Sequence, residues 1–200
     1  MRGCPTRRFG LTHILLCLLF SIFLANVSLA AKNGQASVTT LSAPYQKWLD
    51  EDARYLITDE EREEFAKLKS DDQRDRFIEN FWERRNPNPG SKPNKFKEEH
   101  YRRLAYANQH FVDGVPGYKT DRGHIYILYG PPDEREQHPG RSDIGIPASA
   151  PLTERYPSDV WRYHSLKGVG RDVFFKFIDT CRCGEFQLRN DPTKETPNTN

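Results

Sequence analysis

His124-Ile125-Tyr126-Ile127-Leu128-Tyr129, closed by Gly130-Pro131-Pro132, is the stretch on which the fold turns. β-branched, aliphatic and aromatic side chains run together and stop at turn residues, the pattern of a strand. Upstream of it the apolar residues recur at helical spacing. Phe96, His100, Tyr101, Leu104, Asn108 and Phe111 mark one stripe, on a helix predicted over Lys95 to Phe111 and broken at Gly114, Pro116 and Gly117. Phe77, Ile78, Phe81 and Trp82 mark another, begun by Ser70 with Gln73 and ended by Asn86-Pro87-Asn88-Pro89-Gly90. Thr58 with Glu61 starts a third helix, with Asp59, Glu60 and Glu61 in its first turn, where the helix dipole favours acids. Tyr45, Trp48, Leu49 and Asp52 begin the helical part, and a short Tyr55-Leu56-Ile57 segment follows them.

Downstream the period shortens. A long Pro/Gly/Ser stretch, Pro139 to Pro157, reads as a surface loop. Val160 to His164, Val173 to Ile178 and Glu185 to Leu188 read as strands, with turn chemistry at Lys167-Gly168-Val169-Gly170 and at Gly184. Helices grouped first and strands grouped after give an α+β fold, with N-terminal helices packed on a small, mostly antiparallel C-terminal sheet. No internal repeat is evident.

The ends have a different character. Arg2, Arg7 and Arg8 precede an apolar run from Ile14 to Phe20, continued by Ile22 to Ala25, and Ser28-Leu29-Ala30 places small residues where a signal peptidase needs them. Residues 1–30 are therefore expected to be a signal peptide cut near Ala30, leaving a periplasmic or extracellular chain. The apolar core is shorter than the roughly 20 residues of a membrane span, so no stable span is expected after cleavage. Residues 31–44 read as a flexible lead, 45–189 as the domain and 190–200 as a disordered tail.

Within 200 residues, 12% aromatics suffice for a core, which excludes a disordered chain. Loss of the leader reduces 30 basic residues to 27 against 28 acids. A near-neutral body gives no electrostatic reason to expect nucleic acid or an anionic membrane as partner. Of four cysteines, Cys4 and Cys17 fall in the leader. Cys181 and Cys183 remain, as a redox pair, as two metal ligands, or as thiols bridging to other chains, with a local disulfide or free thiols the blandest reading.

Five further segments stand out: Lys47-Trp48-Leu49, the Phe77-to-Trp82 helix face with Arg84-Arg85-Asn86-Pro87-Asn88-Pro89-Gly90 after it, Phe96 to Arg103, Gly117-Tyr118-Lys119-Thr120-Asp121, and Asp121-Arg122-Gly123 leading into Ile125 to Glu134. Together they resemble the bacterial GWxTD-domain proteins. Tyr118 stands in place of the tryptophan of the name-giving motif, and Asn86 stands where the family usually has an acid. The resemblance covers roughly Tyr45 to Leu188 and implies export and a fold, but no reaction. Its motif residues here are Gly117, Tyr118, Thr120, Asp121 and Gly123, together with Trp82, His100 and Tyr101, all read as structural.

No catalytic, cofactor-binding or metal motif is recognisable, and no cofactor is expected. His100, Tyr101, Asp121 and His124 are the best enzyme candidates, a histidine beside a carboxylate being able to act as general base. Against this, His100 lies on an apolar stripe, and an aspartate in a turn commonly accepts backbone N–H groups. Arg84, Arg85, Arg102 and Arg103 sit among Glu79, Glu83, Glu98 and Glu99 and read as an ion-pair face. The expected function is a non-enzymatic binding or assembly module among envelope proteins. The alternative is an exported hydrolase with its site near the helix–sheet junction.

Overall fold

A computed structural model describes residues 41–141, 147 and 149–194; the expected leader and most of the lead lie outside them, as does the end of the tail. Ser42 and Pro44 start α1 (Ala43–Lys47), which widens into a π-helical turn at Trp48–Asp52. α2 (Asp59–Lys67) and α3 (Asp71–Glu83) each open on a complete capping box, Thr58 with Glu61 and Ser70 with Gln73. α4 (Lys95–His110) is capped by Asn94, whose side chain accepts the Lys97 N–H at 3.0 Å. These helices share an aromatic cluster in which Trp48 stacks on Phe65 at 5.2 Å and meets the edge of Phe81 at 5.1 Å. Tyr101 on α4 joins this cluster to a second one under the sheet.

The segment expected as a strand is a helix. α5 (Asp121–Tyr129) begins at Thr120, whose side chain accepts the Gly123 N–H, and stops at Gly130, where φ is 82°. Its β-rich composition is explained by burial on nearly every side: Arg122, Gly123, Ile125, Tyr126 and Ile127 are all inside. A helix enclosed between α4 and a sheet has no polar face, so it shows no helical period, and a continuous apolar run does not distinguish it from a strand. The cap decides.

Four antiparallel strands in the order β1-β2-β3-β4 form the sheet. They are β1 (Glu134–His138), β2 (Ser158–Leu166), β3 (Gly170–Ile178) and β4 (Gln187–Asn190). β1 was not legible, because Glu-Arg-Glu-Gln-His carries no apolar alternation; it is an exposed edge whose charges discourage further strand pairing. Trp161 opposite Phe175 sets the central register, and Trp161, Tyr163, Phe175 and Phe177 all face the helices. A short α6 (Leu152–Arg155) lies in the long loop before β2. Among the described residues no helix is long and apolar enough to cross a membrane.

Candidate functional site

The turn Gly117–Lys119 and the Thr120 cap form a clasp between four parts of the chain. Gly117 lies against α4 so closely that a Cβ there would overlap the Ala107 carbonyl oxygen, and a Cβ on Gly123 would overlap the carbonyl oxygen of Gly117. Only glycine permits both approaches. The Thr120 hydroxyl donates to the Gly117 carbonyl at 2.9 Å and accepts the Gly123 N–H at 3.0 Å. Asn108 on α4 accepts the Tyr118 N–H at 2.9 Å and donates to Glu51 at 3.1 Å. Tyr55 donates to the Tyr118 carbonyl at 2.7 Å, and its ring stacks on His124. Asp121 accepts the Leu188 N–H of β4 at 2.6 Å, so its carboxylate does bind a backbone amide, but one 67 residues away.

His100 and Tyr101 have a different anchor. The His100 Nε2–H donates to the Asp52 carbonyl at 2.6 Å, and Tyr101 donates to the Asp52 carboxylate at 3.0 Å. Both rings pack on Trp82, with centroids at 5.3 and 5.4 Å. Burial lowers the His100 pKa below 6.5, and the bond to the Asp52 carbonyl leaves Nδ1 as the lone-pair nitrogen of the neutral form. Burial also raises the Tyr101 hydroxyl, and the Asp52 charge adds to the effect. The four residues considered for catalysis thus divide into two pairs with different partners: His100 and Tyr101 on Asp52, and Asp121 and His124 beside Tyr55 and β4.

His100 also lines a pocket of about 260 Å³ between α4 and α5. Leu56, Pro87, Phe96, Ile127 and Leu128 make its walls apolar, and Lys95, Glu99 and Arg103 bring charge to it. Arg103 is fixed there, donating to Glu99 at 2.7 Å and to the Leu128 carbonyl at 3.0 Å, where it caps the end of α5. Hydrogen bonds from Arg102 and Arg103 hold the Glu99 carboxyl down at about 2. The other arginine pair is also internal, but its partner is Glu61 on α2 rather than a glutamate of its own helix. Arg85 reaches Glu61 at 2.7 Å as well as the Phe81 and Leu56 carbonyls, with its guanidinium 3.7 Å above the Phe81 ring. Asn86 is buried, bonded to Glu83, the Ser91 carbonyl and the Asn88 N–H.

Two polar groups were missed in the sequence. Asp159 is 0% exposed beneath the sheet; Arg135 grips it at 2.7 and 2.5 Å, Trp161 donates to it at 2.8 Å, and Arg122 lies 3.5 Å away. The available signal was parity, since Asp159 alternates with Trp161 and Tyr163 on one strand face. The second is Asp179, buried beside Cys181 and Cys183, which are bonded to each other as a disulfide.

One family model, described as the GWxTD domain, matches residues 35–142, a little over half of the chain. No curated protein and no solved structure matches it.

Proposed function

The chain belongs to the GWxTD domain family, and from that premise we propose that it is an exported module of the cell envelope that binds a protein partner without catalysing a reaction. The pocket between α4 and α5 receives an apolar side chain of that partner. One observation carries the reading: the pocket has apolar walls and a charged rim, while the polar groups of the signature are spent on internal bonds. Buried apolar surface supplies affinity, and Lys95, Glu99 and Arg103 at the mouth supply orientation. The leader read at residues 1–30 supports export, and a near-neutral body suits a protein partner better than a polyanion.

The test is a photo-reactive amino acid at Lys95 in the full chain, activated in intact cells. The reading expects a cross-linked envelope protein, lost when Phe96→Asp puts a charge in the pocket. Cross-linking no stronger than from Arg171, exposed on β3, rejects it. Fractionation checks export separately, by finding a chain that begins after Ala30 outside the cytoplasm.

The rival reading, an exported hydrolase, has one observation in its favour: His100 is among the residues lining the pocket, and its Nε2–H is engaged by the Asp52 carbonyl. Turnover of an ester or peptide that disappears in a folded His100→Gln variant supports it over the binding module.

A further inference from the structure

β3 ends at Ile178, and the loop that follows holds chemistry that the pocket does not use. Asp179 is 3% exposed, and its N–H donates to the Pro157 carbonyl at 2.8 Å, so the strand end fixes its position. Its carboxylate accepts the Cys183 N–H at 3.1 Å on one oxygen and the Gly184 N–H at 2.7 Å on the other. The first of these oxygens also lies 3.1 Å from Sγ of Cys181. Cys181 and Cys183 are exposed, and one ligand atom from each of the three residues lies within 4.8 Å of the others.

We propose that this loop is a redox-gated site for a thiophilic divalent cation, zinc being the natural occupant, which binds only when the Cys181–Cys183 disulfide is reduced. An external dithiol supplies the two electrons and two protons. One of its thiolates attacks a cysteine sulfur, forming a mixed disulfide and releasing the other cysteine, which takes up a proton. The second thiol of the reductant then closes on the mixed disulfide, frees the remaining cysteine as a thiol and leaves as its own disulfide. Zn2+ next displaces both thiol protons and gains two thiolates and one carboxylate, with water in the fourth position.

The ligand set and its support suit such an ion. Thiolates select zinc over the hard cations, and a buried carboxylate completes a donor set of mixed softness. Two unbonded sulfurs in contact approach the edge of a tetrahedral site, about 3.7 Å for bonds of about 2.3 Å. The N–H groups of Cys183 and Gly184 orient the carboxylate before any ion arrives, as outer partners do in metal sites. Arg182, between the two cysteines, has a φ of 57°, a conformation that favours glycine. Without a cation, two thiolates beside a carboxylate would repel, so metal and reduction favour each other. The inference is independent of the pocket.

Cobalt is the probe, in the full chain carrying Cys4→Ser and Cys17→Ser so that only this pair of thiols is present. After reduction with a phosphine in the absence of air, one Co2+ per chain is expected, with a thiolate-to-cobalt charge-transfer band that Zn2+ abolishes. The oxidised chain is expected to show no such band. Asp179→Asn, which keeps an oxygen for one of the two backbone amides and removes the charge, weakens Co2+ at least about tenfold. Cys181→Ser and Cys183→Ser, at exposed positions that leave the core intact, each lose the band. A reduced chain without the band overturns the proposal. So does equal binding by the oxidised chain, or unchanged affinity in a folded Asp179→Asn variant.

Discussion

Replacing Thr120 by valine probes the clasp at its centre. Valine matches threonine in shape, so the packing of a side chain that is 5% exposed is retained while its hydroxyl is lost. The Gly117 carbonyl keeps a partner, because it also accepts the Thr120 N–H at 3.2 Å. The Gly123 N–H, buried in the first turn of α5, loses its acceptor. Loss of an N-cap costs about 1 kcal/mol, and a stranded buried amide raises that to about 2 kcal/mol. Thr120→Ser keeps both hydrogen bonds and gives up one methyl group, which costs about 1 kcal/mol or less. Urea denaturation followed by tryptophan fluorescence reads both variants on one scale, and about 2 kcal/mol is a roughly thirtyfold change in the folded-to-unfolded ratio. Valine within about 0.5 kcal/mol of wild type, or serine as damaging as valine, refutes the capping argument.

Three other perturbations test neighbouring parts of the account. Gly117→Ala forces a methyl group onto the Ala107 backbone, which cannot rotate away, and is expected to cost about 3 kcal/mol in the same assay. Asp159→Asn leaves Arg135 and Arg122 sharing a site without their carboxylate; a loss of about 3–5 kcal/mol is expected, and an unchanged urea midpoint contradicts the network. At Glu61, burial opposes ionisation, but hydrogen bonds from Arg85, Arg84 and the Thr58 backbone outweigh it and hold the carboxyl at about 2, down from 4.5. Since the folded pKa is the lower one, the stabilisation is complete above pH 4.5 and is lost as pH falls toward 2. Glu61→Gln should therefore be less stable at neutral pH and lose less on acidification, by about 2 kcal/mol, in parallel titrations of the urea midpoint.

What the sequence disclosed depended on the range of the interaction. The capping boxes at Thr58 and Ser70 lie within three residues of their partners, so they were legible and so were the helices they start. The sheet strands with apolar alternation were legible for the same reason. Ile125 to Tyr129 was not, because a buried helix and a buried strand share a composition and the deciding contacts come from α4 and β2. Thr120 followed by Asp121, an N-cap with an acid in the first turn, is the local signal that could have identified the helix. β1 is an edge joined to β2 by backbone pairing and by Arg135 and Glu134 reaching Asp159 and Arg162, partners that its own polar run does not announce. The pocket draws on the turn after α1, the segment after α3, and both α4 and α5, so no local motif encodes it. Asp159 and Asp179 resemble surface acids until the fold places arginines or backbone amides around them.

Backbone carbon chemical shifts across residues 120–130 of the isotope-labelled chain bear most directly on whether the signature is the start of a buried helix. Consecutive helical shifts from Asp121 to Tyr129, ending at Gly130, with a slowly exchanging Gly123 amide, are predicted. Extended-strand shifts from His124 to Tyr129 would dissolve the clasp, the wall of the pocket and the function built on it.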